Sequence, residues 1–261
     1  MAWDPALYLK FGDERLRPGL ELLARVGDLP PGPLYELGCG TGVHARAITA
    51  RWPDRRLTAV DRSREMLDKA AAEPSPIQWV EADIATWSAP APGALIFSNA
   101  TLHWLGDHEH LFPHLLRQLL PGGVLAVQMP RSFDQESHRL LRETAMEEPW
   151  AKRLAPAFGS VTFLRGEPVL PPEVYYDVLA PLTPHLDLWQ TEYLQALAGE
   201  DAVLEWVRGT ALRPVLDALP ADERAAFTAA YGAKLRRAYP RRADGRTLFP
   251  FRRLFLVARL G

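Results

Sequence analysis

Three glycines at alternate positions, Gly38, Gly40 and Gly42, stand between the short apolar segment Leu34-Tyr35-Glu36-Leu37 and a stretch from Val43 to Trp52 with Val43, Ala47 and Ile48 at helical spacing. Glycine admits positive φ and lets a ligand meet bare backbone, so alternate glycines between a strand and a helix form a tight turn that lies against a cofactor. About twenty residues further on, Arg56-Leu57-Thr58-Ala59-Val60 reads as a second strand closed by Asp61, an acid placed to accept both hydrogen bonds of a ribose diol. Ser63 then offers an N-cap and Glu65 a first-turn acid to a helix running through Ala72, which sets Met66 beside an adenine ring. A third strand, Ile77 to Val80, delivers Asp83 at its carboxyl end, where such sheets bind ligands. Asp83 can receive the adenine amino group there, with the Ile84 backbone amide facing a ring nitrogen.

A nicotinamide or flavin enzyme would carry its third glycine at the position of Val43. The order from Glu36 onward, acid-x-Gly-x-Gly-x-Gly, instead resembles motif I of the class I S-adenosylmethionine (SAM) methyltransferases, whose ligand has no pyrophosphate to seat on the helix N-terminus. SAM is the first reading and a dinucleotide the second. The fourth strand, Ala94 to Phe97, runs into Ser98-Asn99-Ala100-Thr101-Leu102-His103-Trp104, and in the methyltransferases this resembles that strand end borders the methionine moiety. Pro121-Gly122-Gly123 precedes an apolar fifth strand, Val124 to Met129, as a parallel sheet covered on both faces requires. The candidate cofactor residues are therefore Tyr8, Glu36, Gly38, Gly40, Asp61, Arg62, Met66, Asp83, Ile84 and Asn99, with Tyr8 on an N-terminal segment able to fold over the cofactor.

These elements imply an α/β fold of the Rossmann-like methyltransferase type: a seven-stranded, mostly parallel sheet with a helical cap inserted around strand six. Residues 1–130 are the expected SAM-binding core. Residues 131–250 are the expected, mainly helical, substrate cap, and 251–261 the last core strand. Within the cap, Phe133 to Glu148 reads as a helix, Leu186 to Leu197 as the sixth strand and Asp201 to Tyr239 as two or three helices; Arg253 to Ala258 reads as the seventh strand.

Composition narrows the partners. The 261 residues carry a net charge of −2, against the broad basic face that nucleic acid calls for. No apolar stretch approaches the ~20 residues of a membrane span, and a cytoplasmic protein without metal, membrane or evident protein partner is expected. The single cysteine, Cys39, admits no intramolecular disulfide and reads as a small packing residue within the glycine loop. The 24 prolines lie scattered in short turns that bound elements.

The expected cap is rich in arginine: Arg208 and Arg213 flank a Gly-Thr turn, and Arg246, Arg252 and Arg253 surround Leu248-Phe249-Pro250-Phe251. The guanidinium fork binds carboxylates with two parallel hydrogen bonds, so arginines converging on a closed site suit a multiply charged acid. Large aromatics such as Trp150, Tyr175, Trp189 and Trp206 are expected mainly in the core, with Trp104 and Tyr176 as pocket candidates.

A narrower resemblance spans nearly the whole chain. Trp3 to Phe11, Phe97-Ser98-Asn99-Ala100 with Trp104, Val127-Gln128-Met129-Pro130, Glu205-Trp206-Val207-Arg208-Gly209-Thr210 with Leu212-Arg213-Pro214, and Pro250-Phe251-Arg252-Arg253-Leu254-Phe255 together resemble the trans-aconitate 2-methyltransferases. The resemblance implies transfer of the SAM methyl to a carboxylate oxygen. A carboxylate is already ionised at neutral pH, so no proton-transfer residue is implied. Substrate contacts are expected from Trp104, Arg131, His138, Tyr176, Arg208, Arg213 and Arg252. The alternatives are another small acid, an amine or phenol acceptor, for which His103 is the candidate base, and a SAM-binding protein without catalysis.

Overall fold

The computed structural model describes residues 12–159, 164 and 168–261. A seven-stranded sheet runs in the order β3-β2-β1-β4-β5-β7-β6, with β1 Leu34–Leu37, β2 Leu57–Asp61, β3 Gln78–Glu81, β4 Gly93–Asn99, β5 Leu119–Pro130, β6 His185–Ala198 and β7 Arg246–Arg259. Strands β1 to β5 pair in parallel, with Glu36 beside Ala59 on one side and Phe97 on the other. β7 runs antiparallel to β5, because Gly122 N–H donates to Leu260 O at 2.8 Å while Arg131 N–H donates to Arg252 O at 2.9 Å.

The order of strands positions the site. The chain moves outward from β1 to β2 and β3, then returns to β4 on the other side of β1, so the loops leaving β1 and β4 diverge and open a crevice at the carboxyl edge. Helices α1 (Gly12–Arg25), α2 (Val43–Arg51), α3 (Arg64–Ala71) and α4 (His108–Leu116) accompany these strands. Burial on both faces explains the unbroken apolar runs: all four residues of β1 are buried, as are Gly93 to Ser98 of β4. Helix α3 opens as the sequence implies, with Met66 N–H donating to the Ser63 hydroxyl at 3.4 Å.

The chain divides into two compact units. Among the described residues, one comprises Arg15–Pro130, Val169–Thr191 and Leu254–Gly261, and the other 12–14, 131–159, 164, 168 and Glu192–Arg253. Residues 169–191, expected in the cap, thus group with the sheet. The reason is α7, Pro172–Leu179. Its Tyr175 is fully buried, with ring centroids 4.8 Å from Phe112 and 5.8 Å from His108, and its hydroxyl lies 2.7 Å from His108 Nδ1.

The other unit has a core of its own. Helices α5 (Glu136–Ala145), α6 (Ala151–Leu154), α8 (Ala202–Arg208), α9 (Leu212–Asp217) and α10 (Arg224–Ala238) contribute Leu141, Leu154, Val207, Leu212 and Phe227 to one apolar cluster with Phe249 and Phe251. Two tyrosines tie it together: Tyr231 donates to Ser137 O, and Ser137 N–H donates to the Tyr239 hydroxyl, each at 2.9 Å. β7 begins at Arg246, well before the expected Arg253, and both β6 and β7 contribute residues to each unit. No helix among the described residues is long and apolar enough to cross a membrane.

Candidate functional site

The glycine loop holds two positions whose demands differ. Gly38 has φ +78° and packs against the segment after β4, so that a Cβ there would lie 2.1 Å from Thr101 Oγ1. Gly40 also has positive φ, at +53°, yet nothing lies within 4 Å of the place a Cβ would take. Gly38 is glycine because the fold is tight around it. Gly40 presents bare backbone to open space, the surface on which a ligand can lie.

Asp61, at the end of β2, closes the same loop. Its Oδ2 accepts from Gly40 N–H and its Oδ1 from Ser63 N–H, both at 2.9 Å. Each oxygen retains acceptor capacity for a ribose hydroxyl. Glu36, one turn of the loop behind, is only 1% exposed and its Oε2 has no hydrogen-bond partner among the described residues. Burial first, and the nearby Asp61 charge second, push its carboxyl well above the usual glutamate range. Asn99 Oδ1, at the end of β4, is likewise buried and without a partner among the described residues. It precedes Ala100, whose φ of +52° marks a strained turn for a residue with a side chain.

Two orphaned acceptor oxygens flanking a glycine loop fit a ligand that carries N–H donors and positive charge, as the ammonium of SAM does. Asp83 lies exposed beyond β3, its Oδ1 accepting from Ala85 N–H at 2.9 Å, and Ile84 beside it is 6% exposed. Met66 is half-buried in the first turn of α3 and Arg62 is exposed. All these groups belong to the unit that holds the parallel strands. Tyr8 lies outside the described residues.

Comparison with known proteins fits this geometry. A family model described as "Methyltransferase domain" matches residues 34–123, the stretch from β1 into β5. A trans-aconitate 2-methyltransferase of Azoarcus sp. (strain BH72) is 50% identical over 257 residues, covering 98% of each chain. One of Rhizobium meliloti (strain 1021) is 45% identical, covering 99% of this chain and 98% of the relative. This chain belongs to the trans-aconitate 2-methyltransferase family. Among solved structures, the YcgJ protein of Bacillus subtilis aligns with TM-score 0.58 at 12% identity, covering 94% of this chain and 98% of that one. A Haemonchus contortus phosphoethanolamine N-methyltransferase, solved with S-adenosylhomocysteine, aligns with TM-score 0.52 at 14% identity over 94% of this chain and 53% of its own. Both likenesses concern the fold.

The substrate candidates of this methyltransferase fall in both units. In the sheet unit, Trp104 is 38% exposed and its ring lies 5.0 Å from that of the buried His103. Tyr176 is 55% exposed on α7, beside a surface hollow of about 370 Å³ that Glu173, Asp177 and Leu188 also line. In the other unit, Arg208 is exposed at the end of α8 and Arg213 and Arg131 are half-buried. Trp150, Tyr175 and Trp206 are core residues.

Two further candidates, Arg252 and His138, have close neighbours of their own. Arg252 already has anions: its Nη1 lies 3.1 Å from Asp134 and its Nη2 3.7 Å from Glu192. His138 is 4% exposed, with its ring 5.0 Å from that of Phe133. Burial, then the Arg142 charge, lowers its imidazole to about 4, so at neutral pH it supplies hydrogen bonding without charge. Arg253, the next residue on β7, takes the other face of the strand. It is 4% exposed, its guanidinium 4.8 Å from the Phe251 ring centroid. The two-residue period of Phe249, Phe251 and Phe255 is the signal that identifies 253, and not 252, as the inward position.

Proposed function

We propose that this chain transfers the methyl group of SAM to a carboxylate oxygen of trans-aconitate, releasing the monomethyl ester and S-adenosylhomocysteine. The near-full-length identity of 45–50% to relatives that bear this activity in their names carries the reading. When bound, SAM supplies a methyl group made electrophilic by its sulfonium.

The residues of the chain act by holding and orienting. Asp61 accepts the ribose hydroxyls through the lone pairs that Gly40 and Ser63 leave open. The orphaned oxygens of Glu36 and Asn99 take the ammonium of the methionine moiety, which restores charge balance to a buried carboxyl. Asp83 and the Ile84 amide read the adenine edge, and Gly40 leaves room for the ligand to lie flat against the loop. The acceptor oxygen carries its negative charge into the site, so the rate comes from aligning it with the sulfur-methyl bond; well-oriented intramolecular attack is worth roughly 7 to 11 kcal/mol. Arginines, with Arg208 and Arg213 foremost, hold the remaining carboxylates.

The pH–rate profile tests this reading. With trans-aconitate and saturating SAM, kcat is expected to stay flat above the substrate's carboxylate pKa values, and His103→Gln to retain most of the rate. A basic limb that vanishes in His103→Gln would point to an amine or phenol acceptor instead.

A further inference from the structure

Among the described residues, two that carry side chains take a positive φ: Ala100 at +52° and Asp107 at +55°. They bracket one short segment between the end of β4 and the start of α4, and the 3₁₀ turn Leu102–Trp104 lies between them. Aspartate tolerates that region better than alanine, so Ala100 is the more strained, and such a residue persists only where its surroundings hold it. Ala100 N–H donates to Gln128 O at 2.9 Å, and the Thr101 hydroxyl lies 3.1 Å from Asn99 O and 3.3 Å from Gly38 O. These contacts fix the start of the segment against β5 and the glycine loop.

A buried imidazole fixes the turn that follows. His108, 3% exposed, reaches back to place its Nε2 3.0 Å from Leu102 O, the carbonyl that also accepts from Leu105 N–H at 2.9 Å. A carbonyl only accepts, so Nε2 carries the proton. Burial holds this imidazole below the usual histidine range, which leaves Nδ1 an acceptor at neutral pH, and the Tyr175 hydroxyl donates to it at 2.7 Å. The Tyr175 oxygen accepts in turn from Leu170 N–H at 3.1 Å. The bonds therefore run in one direction, from the Leu170 backbone through Tyr175 and His108 to the Leu102 carbonyl. The Phe112 ring, with centroids 4.8 Å from Tyr175 and 5.3 Å from His108, packs against both, and all these residues belong to the unit that holds the parallel strands.

We propose that His108 and Tyr175 are positioning residues for methyl transfer: through the Leu102 carbonyl they hold the turn after β4, and with it the Asn99 amide and the Trp104 ring, in the orientation that cofactor and acceptor meet. This rests on the function proposed above, in which Asn99 takes the ammonium of SAM. Both side chains are buried, so they act through the turn and not on a reactant. Their effect falls on alignment, and a small misplacement of aligned groups slows the reaction steeply while leaving the binding contacts in being.

A spectroscopic and a kinetic measurement test it. In nitrogen-15 spectra of histidine-labelled protein at neutral pH, with the His108 signal identified by its loss in His108→Gln, the Nε2–H tautomer is expected; the Nδ1–H tautomer or an imidazolium overturns the network. Kinetics are then compared at a temperature where melting curves show each variant folded. His108→Leu, which loses the bond to Leu102, is expected to lower kcat about ten- to hundredfold, while KM for trans-aconitate and the SAM Kd by calorimetry change less than about threefold. His108→Gln, whose amide donates to the same carbonyl, is expected to stay within about fivefold of the parent kcat, and Tyr175→Phe, which keeps the ring and deletes the donor to Nδ1, to lose about three- to tenfold. If His108→Leu does not fold, Tyr175→Phe and the tautomer decide. Equal losses in His108→Gln and His108→Leu, or an unchanged kcat in the folded variants of an active parent, overturn the assignment while leaving the function intact. A wild-type chain inactive on trans-aconitate overturns both.

Discussion

Replacing Asp61 by Ala separates what this side chain does for the loop from what it does for the ligand. Its two oxygens each hold a backbone N–H at 2.9 Å, from Gly40 and from Ser63. Hydrogen bonds to a charged acceptor contribute about 1.5 to 3 kcal/mol, and partial exposure of Asp61 puts these at the lower end. Deleting both is expected to destabilise the ligand-free protein by about 3 kcal/mol, or roughly 6 to 12 °C in Tm for a chain of this size. Losing the ribose acceptors as well is expected to cost about 2 to 3 kcal/mol of binding, ~30- to 150-fold in the SAM Kd. Asp61→Asn keeps one carbonyl oxygen for one loop amide, so about half the stability loss is expected with most of the binding loss. Titration calorimetry at a temperature where each variant is folded gives Kd, and thermal melts with and without SAM give the stability. An Asp61→Ala variant that binds SAM within about threefold of the parent would refute the ribose assignment.

The two glycines make an opposed pair: Gly38→Ala, which drives a methyl into Thr101, is expected to lower Tm sharply, whereas Gly40→Ala is expected to cost only about 1 kcal/mol of left-handed strain while weakening SAM binding at least tenfold. Equal effects of both on melting and calorimetry would contradict the open face assigned to Gly40. Glu36 has a folded pKa above its unfolded one, so its stabilising contribution is complete at acid pH and is lost as pH rises through the folded value. Glu36→Gln is therefore expected to make the ligand-free protein more stable at pH 8 in denaturant titrations and yet to bind SAM about tenfold more weakly; a less stable, equally tight variant would count against an ammonium-binding carboxyl. His138 behaves oppositely, because its folded pKa is lowered: its contribution is present above pH 6.5 and is lost as pH falls toward about 4. Up to about 3 kcal/mol of acid destabilisation is expected from it, and His138→Asn should flatten the stability curve in that window; parallel curves for variant and parent would show that His138 does not titrate there.

The SAM half of the molecule was legible because its signals are local. A glycine loop, an acid at a strand end and the Ser63 cap each lie within a few residues of what they position, and β1 and α3 fall where their spacing puts them. The partner unit was less legible. β7 starts at Arg246, but Pro250 and the charged pair Arg252-Arg253 interrupt the apolar run, so the sequence reading found only its last half. The phase of that strand also leaves Arg252 half-buried and Arg253 buried, a distinction that composition does not carry. Residues 169–191 were assigned by order along the chain, whereas Tyr175 joins α7 to Phe112 and His108, more than sixty positions earlier. The neutrality of His138 depends on burial by distant elements, which no local pattern records.

The central claim is that the methyl group ends on a carboxylate oxygen of trans-aconitate, and the fate of an isotopic label tests it most directly. The purified chain is incubated with methyl-labelled SAM and trans-aconitate, and the labelled product is then treated with mild base. An ester releases its label as methanol and regenerates trans-aconitate, in step with the S-adenosylhomocysteine formed. Label that stays attached through base treatment, or S-adenosylhomocysteine that forms equally without trans-aconitate, would contradict the account.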